Sequence, residues 1–355
     1  MKFLIYISYS YAIPIGEPLE VEIKKRGYFV RWFSDTDQGL NAIKHKPNFI
    51  RSVPELILYE PHIILSISDY VPDFINSLKV QIFHGFLSKK RPSKSGFSHF
   101  RIRGLFDLYC TQGPSSTIEF KRLEKKHKHF KVVETGWSKV DDLFLEKKQN
   151  LKNDKPKIFV ASTFTRKLSL AYNDEVFSEI QKLSISGKYY FNMVLHPKLP
   201  AEIKEKWKSL NSNYFKYHET TNLNNLFKIS DLMFSDTTSA IQEFLLMEKP
   251  VIAFNHTFDF DYLINISEVS EIYNSIKIAL NPTDDLITNI KEFNKLLHPY
   301  SDGKSSARVI DASLNCLYDK SKICPKPFNF IRKLKLRNKL NYYKIKSFNE
   351  KYSLS

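Results

Sequence analysis

The residues best suited to chemistry are two histidines that follow apolar, strand-like runs. His84, with Gly85 beside it, closes the run "VQIFHG", and His196 follows "YYFNMVL" and precedes Pro197. An imidazole titrates near neutral pH, so it can take a proton from a hydroxyl or donate a hydrogen bond to an anion. A lone histidine is more often structural, but two at strand ends in different halves of the chain are candidate site residues.

Small and hydroxyl-bearing residues occupy similar positions along the chain. They are Thr111, Gln112, Gly113, Thr135 and Gly136 in the first half, and Ser162, Thr163, Asp236, Thr237, Thr238 and Ser239 in the second. Any one of them alone is explained by a strand end or a helix cap. Because ligands of open α/β sheets bind beyond the carboxyl ends of the strands, the repetition favours a binding site there.

The turn "SDTTS" at residues 235–239 separates a strand-like run from the helical pattern "AIQEFLLMEK". Hydroxyls and backbone N–H groups at the start of a helix bind phosphate. Glu243, one turn into this helix, could accept hydrogen bonds from a ribose or glycerol hydroxyl. The structural alternative is a capping box, and the two roles are compatible.

Positive charge is concentrated in two segments of a chain whose formal net charge is +16. The stretch "KKRPSKSGFSHFRIR", which begins with Lys89, Lys90 and Arg91, contains no acid and indicates a nearby phosphate-bearing ligand, although a solvated loop explains it almost as well. Arg308, after "SDGKSS", could bind a donor phosphate through its guanidinium or form a surface ion pair.

Residues 321–355 form the second basic segment, with ten Lys or Arg against one Glu. Phe, Ile, Leu and Tyr alternate with these bases, a composition suited to an anionic membrane surface. Nucleic-acid binding would use the same charge, and a solvated tail is the simplest alternative.

The elements that must position these residues alternate between apolar strand-like runs and helical segments. This βαβ rhythm predicts parallel sheets covered by helices, an α/β fold. The Lys- and Asn-rich stretch at residues 145–157 interrupts the rhythm and is the predicted linker. We therefore expect domains at residues 1–150 and 151–320, a basic amphipathic tail at 321–355, and a site in the cleft between the domains.

Composition excludes several classes of protein. The chain has 355 residues, of which 42% are hydrophobic and 26% charged, as in a folded globular protein. Its three cysteines lack metal-ligand spacing and suit a reducing cytoplasm, so neither a disulfide framework nor a zinc site is predicted. The apolar start is predicted to be a first core strand, and no run is long enough for a membrane-spanning helix.

Five motifs together resemble the CDP-glycerol glycerophosphotransferases that build teichoic acids and related capsules. They are the His-Gly motif "VQIFHGFLSKK", the Gly-aromatic-x-x-x-Asp stretch "VVETGWSKVDDLF", the His-Pro motif "VLHPKL", the segment "SDTTSAIQEFLLMEKPVIAF" and the closing element "SDGKSSARVIDA". Their order matches the family, and the resemblance spans residues 80–312.

The resemblance implies a GT-B architecture of two Rossmann-like domains facing across a cleft, with the acceptor on the first and the nucleotide donor on the second. His84 would be the general base that deprotonates the acceptor hydroxyl, and His196 would contact the donor diphosphate. The donor-binding residues would be Ser162, Thr163, Asp236, Thr237, Thr238, Ser239, Glu243 and Arg308, and the acceptor-binding residues Gly85, Lys89, Lys90 and Arg91.

The implied reaction uses no metal and no cofactor, because the histidine, the turn and nearby bases could neutralise the donor diphosphate. The implied partners are CDP-glycerol or another nucleotide-activated donor, a phosphorylated or lipid-linked glycan acceptor, and the anionic inner face of the cell membrane. Nucleic acid is not expected.

Departures from the family pattern keep other functions open. Thr237 stands where the family commonly has Tyr, and Glu243 replaces its usual Asp. A GT-B glycosyltransferase that uses a nucleotide sugar for capsule or lipopolysaccharide synthesis is the near alternative. An isomerase like the UDP-N-acetylglucosamine 2-epimerases and an inactive surface-binding module are further alternatives, but the epimerase would leave the His-Gly motif without a use.

Overall fold

The computed structural model describes residues 1–87, 100–145, 155–319 and 324–343. Lys89, Lys90 and Arg91 lie outside these ranges, so their predicted acceptor contacts stay predictions. Residues 146–154 of the predicted linker and 344–355 of the basic tail also lie outside them.

The described residues form twelve strands. They are β1 Lys2–Ile7, β2 Phe29–Ser34, β3 Ile63–Ser66, β4 Leu78–Ile82, β5 Leu108–Thr111, β6 Lys131–Glu134, β7 Lys157–Ser162, β8 Tyr190–Leu195, β9 Phe215–Tyr217, β10 Leu232–Ser235, β11 Val251–Phe254 and β12 Ile264–Ile266.

The same residues form thirteen α-helices, apart from short 3-10 turns. They are α1 Ile13–Lys25, α2 Asp37–Ile43, α3 Val53–Tyr59, α4 Pro114–His127, α5 Asp141–Leu145, α6 Asp174–Ile185, α7 Ala201–Lys208, α8 Asn224–Ile229, α9 Ala240–Leu245, α10 Ile272–Leu280, α11 Asp284–Leu297, α12 Ser305–Tyr318 and α13 Phe330–Lys339.

The chain divides into two compact units, each built on one parallel sheet. The sheet of unit 1 has the strand order β2-β1-β3-β4-β5-β6, and that of unit 2 has the order β12-β11-β10-β7-β8-β9. Strands β1, β3, β4 and β5 are almost wholly buried, as expected for parallel strands covered on both faces. The predicted α/β class, and its GT-B-like form, is confirmed.

Unit 1 contains more of the chain than residues 1–150. In the described ranges it comprises residues 1–87, 100–141, 297–319 and 324–343, whereas unit 2 comprises 142–145 and 155–296. The predicted boundary at residue 320 therefore differs from the observed division. The physical reason is that α12 packs on α1 and that the chain after it returns to the core of unit 1.

The described part of the basic tail is docked on unit 1 by buried contacts. Leu336 and Leu340 are 5% and 8% exposed and belong to the core of unit 1. Arg337, which is fully buried, donates to both carboxylate oxygens of Asp73, and its closest N–O distance is 2.6 Å. Leu336 and Leu340 are therefore packed against unit 1, whereas a membrane-bound tail would expose them to lipid.

No helix in the described ranges combines the length and the apolar character needed to cross a bilayer.

Candidate functional site

His84 lies two residues beyond β4, at the carboxyl edge of the sheet of unit 1, and its side chain is exposed. Buried donors hold the backbone on both sides of it. Trp137 Nε1 donates to the carbonyl of Phe83 at 2.8 Å, and Gln112 Nε2 donates to the carbonyl of Gly85 at 3.0 Å. Trp137 and Gln112 are at most 2% exposed, so the loop presents an accessible imidazole on a fixed backbone.

The surroundings of His84 leave room for a substrate. A methyl group at Gly85 would meet no described atom within 4 Å, so packing does not require glycine there. The ring of Tyr11 lies 5.5 Å from the imidazole, centroid to centroid. Burial, helped by Tyr9, raises the pKa of Tyr11 to about 12, so its phenol keeps its proton and can donate a hydrogen bond.

Residues of two of the five motifs contact each other within unit 1. Asp141, the last residue of the Gly-aromatic-x-x-x-Asp motif, accepts hydrogen bonds from the backbone N–H groups of Ser305 and Ser306 at 2.8 and 2.7 Å. It therefore satisfies the first donors of α12. Gly136 has φ +79°, and a Cβ there would collide with Ser305, so this close contact requires glycine.

Arg308 has partners inside unit 1, whereas the other predicted donor-binding residues belong to unit 2. Its guanidinium binds Asp302 at 2.8 Å and stacks on the ring of Tyr300 at 3.8 Å. The structure gives Arg308 the surface ion pair that the sequence left open, and its donor contact stays a prediction.

Asp236 lies at the carboxyl edge of the sheet of unit 2 and is fully buried. It accepts hydrogen bonds from Ser162 Oγ at 2.5 Å and from the N–H groups of Thr163 and Leu170 at 3.0 Å. Burial raises the pKa of Asp236 despite these bonds, which favour its charged form. Asp236 and Ser162 therefore fix the loop after β7, and their predicted donor contacts stay predictions.

The turn after β10 does not use its hydroxyls as the predicted capping box requires. Ser239 precedes α9 without capping it, and the Oγ1 atom of Thr237 is buried without a hydrogen-bond partner in the described structure. Thr238 Oγ1 makes one long contact, 3.5 Å, with the N–H of Ala240. Because α9 has only six residues, the hydroxyls matter more here than a helix dipole.

A small cavity adjoins this turn. Its volume is about 20 Å³, room for about one water molecule, and Thr237, Thr238, Gln242, His256 and Tyr262 are among the residues that line it. Glu243, on the same helix, is 5% exposed. The sequence analysis did not include His256 among the site residues, although it lies two residues beyond β11 and fits the same strand-end pattern.

His196 follows β8 and is half-buried against Phe164, with the ring centroids 4.5 Å apart. The N–H of Lys198 donates to its Nδ1 at 3.1 Å, so the hydrogen of the neutral ring is on Nε2. Burial, followed by the charges of Lys198 and Lys204, lowers its pKa. His196 is therefore suited to donate one hydrogen bond to an anion while the two lysines supply positive charge.

The described residues include no group of three His, Cys, Asp or Glu side chains placed to hold a metal ion.

Residues 107–263 match the sequence profile of the CDP-glycerol:poly(glycerophosphate) glycerophosphotransferase family, which confirms the resemblance found from the motifs. The match contains His196 and the turn at residues 235–239, but it does not reach His84 or Arg308. No curated protein matches the sequence at a significant level.

Solved structures show the same fold. The wall teichoic acid polymerase TagF aligns with a TM-score of 0.66 and 13% identity over 90% of each chain. A TagF variant soaked with CDPG gives 0.65 and 12% over 89% of each. The UDP-GlcNAc 2-epimerase from Neisseria meningitidis bound to UDP-GlcNAc gives 0.58 and 16% over 88% of this chain and 99% of the epimerase. At these identities the likeness concerns the fold alone.

Proposed function

We propose that this chain is a transferase of the CDP-glycerol:poly(glycerophosphate) glycerophosphotransferase family, whose profile residues 107–263 match. It moves a glycerol-phosphate-type unit from CDP-glycerol, or a related CDP-polyol, to a hydroxyl of a teichoic-acid or capsule acceptor in the cell envelope. The observation that carries the proposal is the exposed imidazole of His84 on a backbone fixed by Gln112 and Trp137.

His84 acts as the general base of this reaction. A hydroxyl is a poor nucleophile until its proton is removed, and a neutral imidazole can accept that proton as the new bond forms. The acceptor oxygen forms a bond to the phosphorus that carries the glycerol, the anhydride P–O bond breaks, and CMP leaves with the electron pair. Tyr11, whose phenol stays protonated, is placed to hydrogen-bond an oxygen of the acceptor beside His84.

The donor is bound by unit 2 in this proposal. The Nε2–H group of His196 donates to a diphosphate oxygen, and Lys198 and Lys204 offset its charge. The hydroxyls of Thr238 and Ser239 remain available for the polyol or ribose, because neither residue is buried and neither caps α9 with a short hydrogen bond.

Nucleotide release tests the proposal directly. Purified protein is incubated with a short poly(glycerophosphate) primer and, in turn, CDP-glycerol, CDP-ribitol and common UDP- and CMP-sugars. We expect primer-dependent release of CMP from the CDP-polyols alone. Release from a nucleotide sugar alone would contradict the proposal and assign the chain to the glycosyltransferases.

We also propose peripheral attachment to the inner face of the membrane through α13 and the residues before it. Phe328, Phe330, Ile331 and Leu334 are 44–69% exposed and alternate with bases, as in interfacial helices. Ile331→Ser combined with Leu334→Ser is expected to reduce co-sedimentation with phosphatidylglycerol vesicles severalfold. Ile185→Ser, which removes an equally exposed apolar side chain from unit 2, is the control. Equal co-sedimentation of all three proteins would refute attachment at this site.

A further inference from the structure

A large cavity lies within unit 1, between α13 and the carboxyl edge of the sheet. Its volume is about 680 Å³, within the range of ligand pockets. Asp35 and Tyr70 line one side, and residues 329–332, 335, 336 and 339 line the other, together with Arg101. None of the predicted site residues that the structure describes lines it.

The cavity has an excess of positive charge. Four cations line it, Arg101, Arg332, Lys335 and Lys339, against one carboxylate. Lys339 pairs with that carboxylate, Asp35, at 2.7 Å, and Arg332 donates to the amide oxygen of Asn329 at 2.9 Å. In the part of the chain that the structure describes, Arg101 and Lys335 have no carboxylate partner. The unneutralised charge suits an anion with several oxygens, such as a phosphodiester.

Buried contacts on both sides of the cavity hold α13 in place. Asn329 Nδ2 donates to the carbonyls of Arg103 and Gly104 at 2.9 and 3.1 Å, which ties the start of the helix to the segment carrying Arg101. Arg337 is buried against Asp73 near its end. The cations are therefore arranged before a ligand arrives, which lowers the entropy cost of binding.

The cavity and His84 share one edge of one sheet. Asp35 directly follows β2 and His84 follows β4, and strands β1 and β3 lie between them. At the usual strand spacing this separation is roughly 15 Å. The ring of Tyr11 lies beside His84 at this edge, with the ring centroids 5.5 Å apart.

From this geometry we infer that the cavity under α13 binds a phosphodiester of the acceptor chain, in a unit other than the one whose hydroxyl is deprotonated at His84. The inference rests on the proposed function, and it adds a preference for acceptors long enough to reach both positions. A single glycerol phosphate reaches only one of them, so it binds more weakly than an oligomer.

Direct binding to the full chain tests the inference without turnover. Titration calorimetry compares a short glycerol-phosphate oligomer with glycerol 3-phosphate in the wild type, Arg101→Gln and Lys335→Gln. We expect the oligomer to bind the wild type more tightly than the monomer, and each variant to weaken oligomer binding about tenfold, as for loss of a charge-assisted hydrogen bond. Lys125→Gln, which removes an exposed charge on α4 of the same unit, is expected to leave binding unchanged.

Three results would overturn the inference: no binding of the oligomer to the wild type, unchanged binding in both variants, or binding to phosphatidylglycerol vesicles without binding to the soluble oligomer. The last result would assign the cations to a lipid headgroup. Both variants alter exposed side chains, and unchanged thermal melting verifies their fold. Affinity for CDP-glycerol, measured in parallel, separates the two hypotheses, because failure of the donor to bind refutes the proposed function and leaves the oligomer result intact.

Discussion

His84→Ala is expected to lower the rate of CMP release from CDP-glycerol by about 10²–10⁴-fold, the usual contribution of a general base. The side chain is exposed, so its loss removes the proton acceptor and is expected to leave the fold intact. Steady-state rates of CMP release from CDP-glycerol measure the effect.

His45→Ala is the matched control, because His45 is another exposed histidine of unit 1. The rate of CMP release by the His45 variant should equal that of the wild type. Addition of free imidazole should partly restore the His84 variant. A His84 variant with wild-type kcat would remove the base from the mechanism, whatever the donor proves to be.

Arg337→Met is expected to destabilise the docking of the C-terminal helix by about 3–5 kcal/mol, because it leaves the buried carboxylate of Asp73 without its partner. Hydrogen exchange of the peptide that covers α13, followed by mass spectrometry, measures the loss of protection. The double variant Arg337→Met with Asp73→Asn should regain much of it, since no uncompensated charge remains. Arg332→Met, on the same helix but partly exposed, should change protection by less than about 0.5 kcal/mol.

Equal protection of α13 in the wild type and in Arg337→Met would contradict this account of the tail. A double variant less protected than the single one would indicate that the hydrogen bonds, and not the buried charge, dominate the pair.

Local patterns predicted the sheets of both units well. Eleven of the twelve strands coincide with apolar runs in the sequence. The reason is that a parallel strand buried on both faces consists mainly of consecutive apolar residues. The missed strand, β12, has three residues at an edge of the sheet, and only Ile266 of these is buried. A segment this short and half-exposed carries no periodic signal.

Contacts between distant parts of the chain could not be predicted. Arg337 and Asp73 are 264 positions apart, and neither residue's neighbourhood indicates the other. The basic composition of the tail indicated a lipid surface, whereas its apolar residues Leu336 and Leu340 complete a protein core. The composition of a helix indicates which kinds of surface it could bind. It does not indicate whether the helix packs on a protein core or on a lipid surface.

The sequence predicted the candidate site residues from their positions at the ends of strands. This prediction depends only on the properties of parallel sheets. Both histidines lie beyond the ends of strands. The roles within the set depend on burial, which the sequence does not reveal. Asp236 is buried with four donors around it, whereas Ser239, three residues later, is exposed. The same turn thus contains a structural carboxylate and hydroxyls available to a ligand.

The return of the C-terminal residues to unit 1 has a consequence for synthesis on the ribosome. Unit 2 is almost continuous in sequence, so its sheet can close as soon as residues 155–296 have emerged. Unit 1 contains both β1 and α13, which lie on either side of unit 2 in the sequence, and until α13 emerges Asp73 and Phe74 lack their partners. The nascent chain therefore finishes its later unit before its earlier one, the reverse of the usual order of folding from the N-terminus.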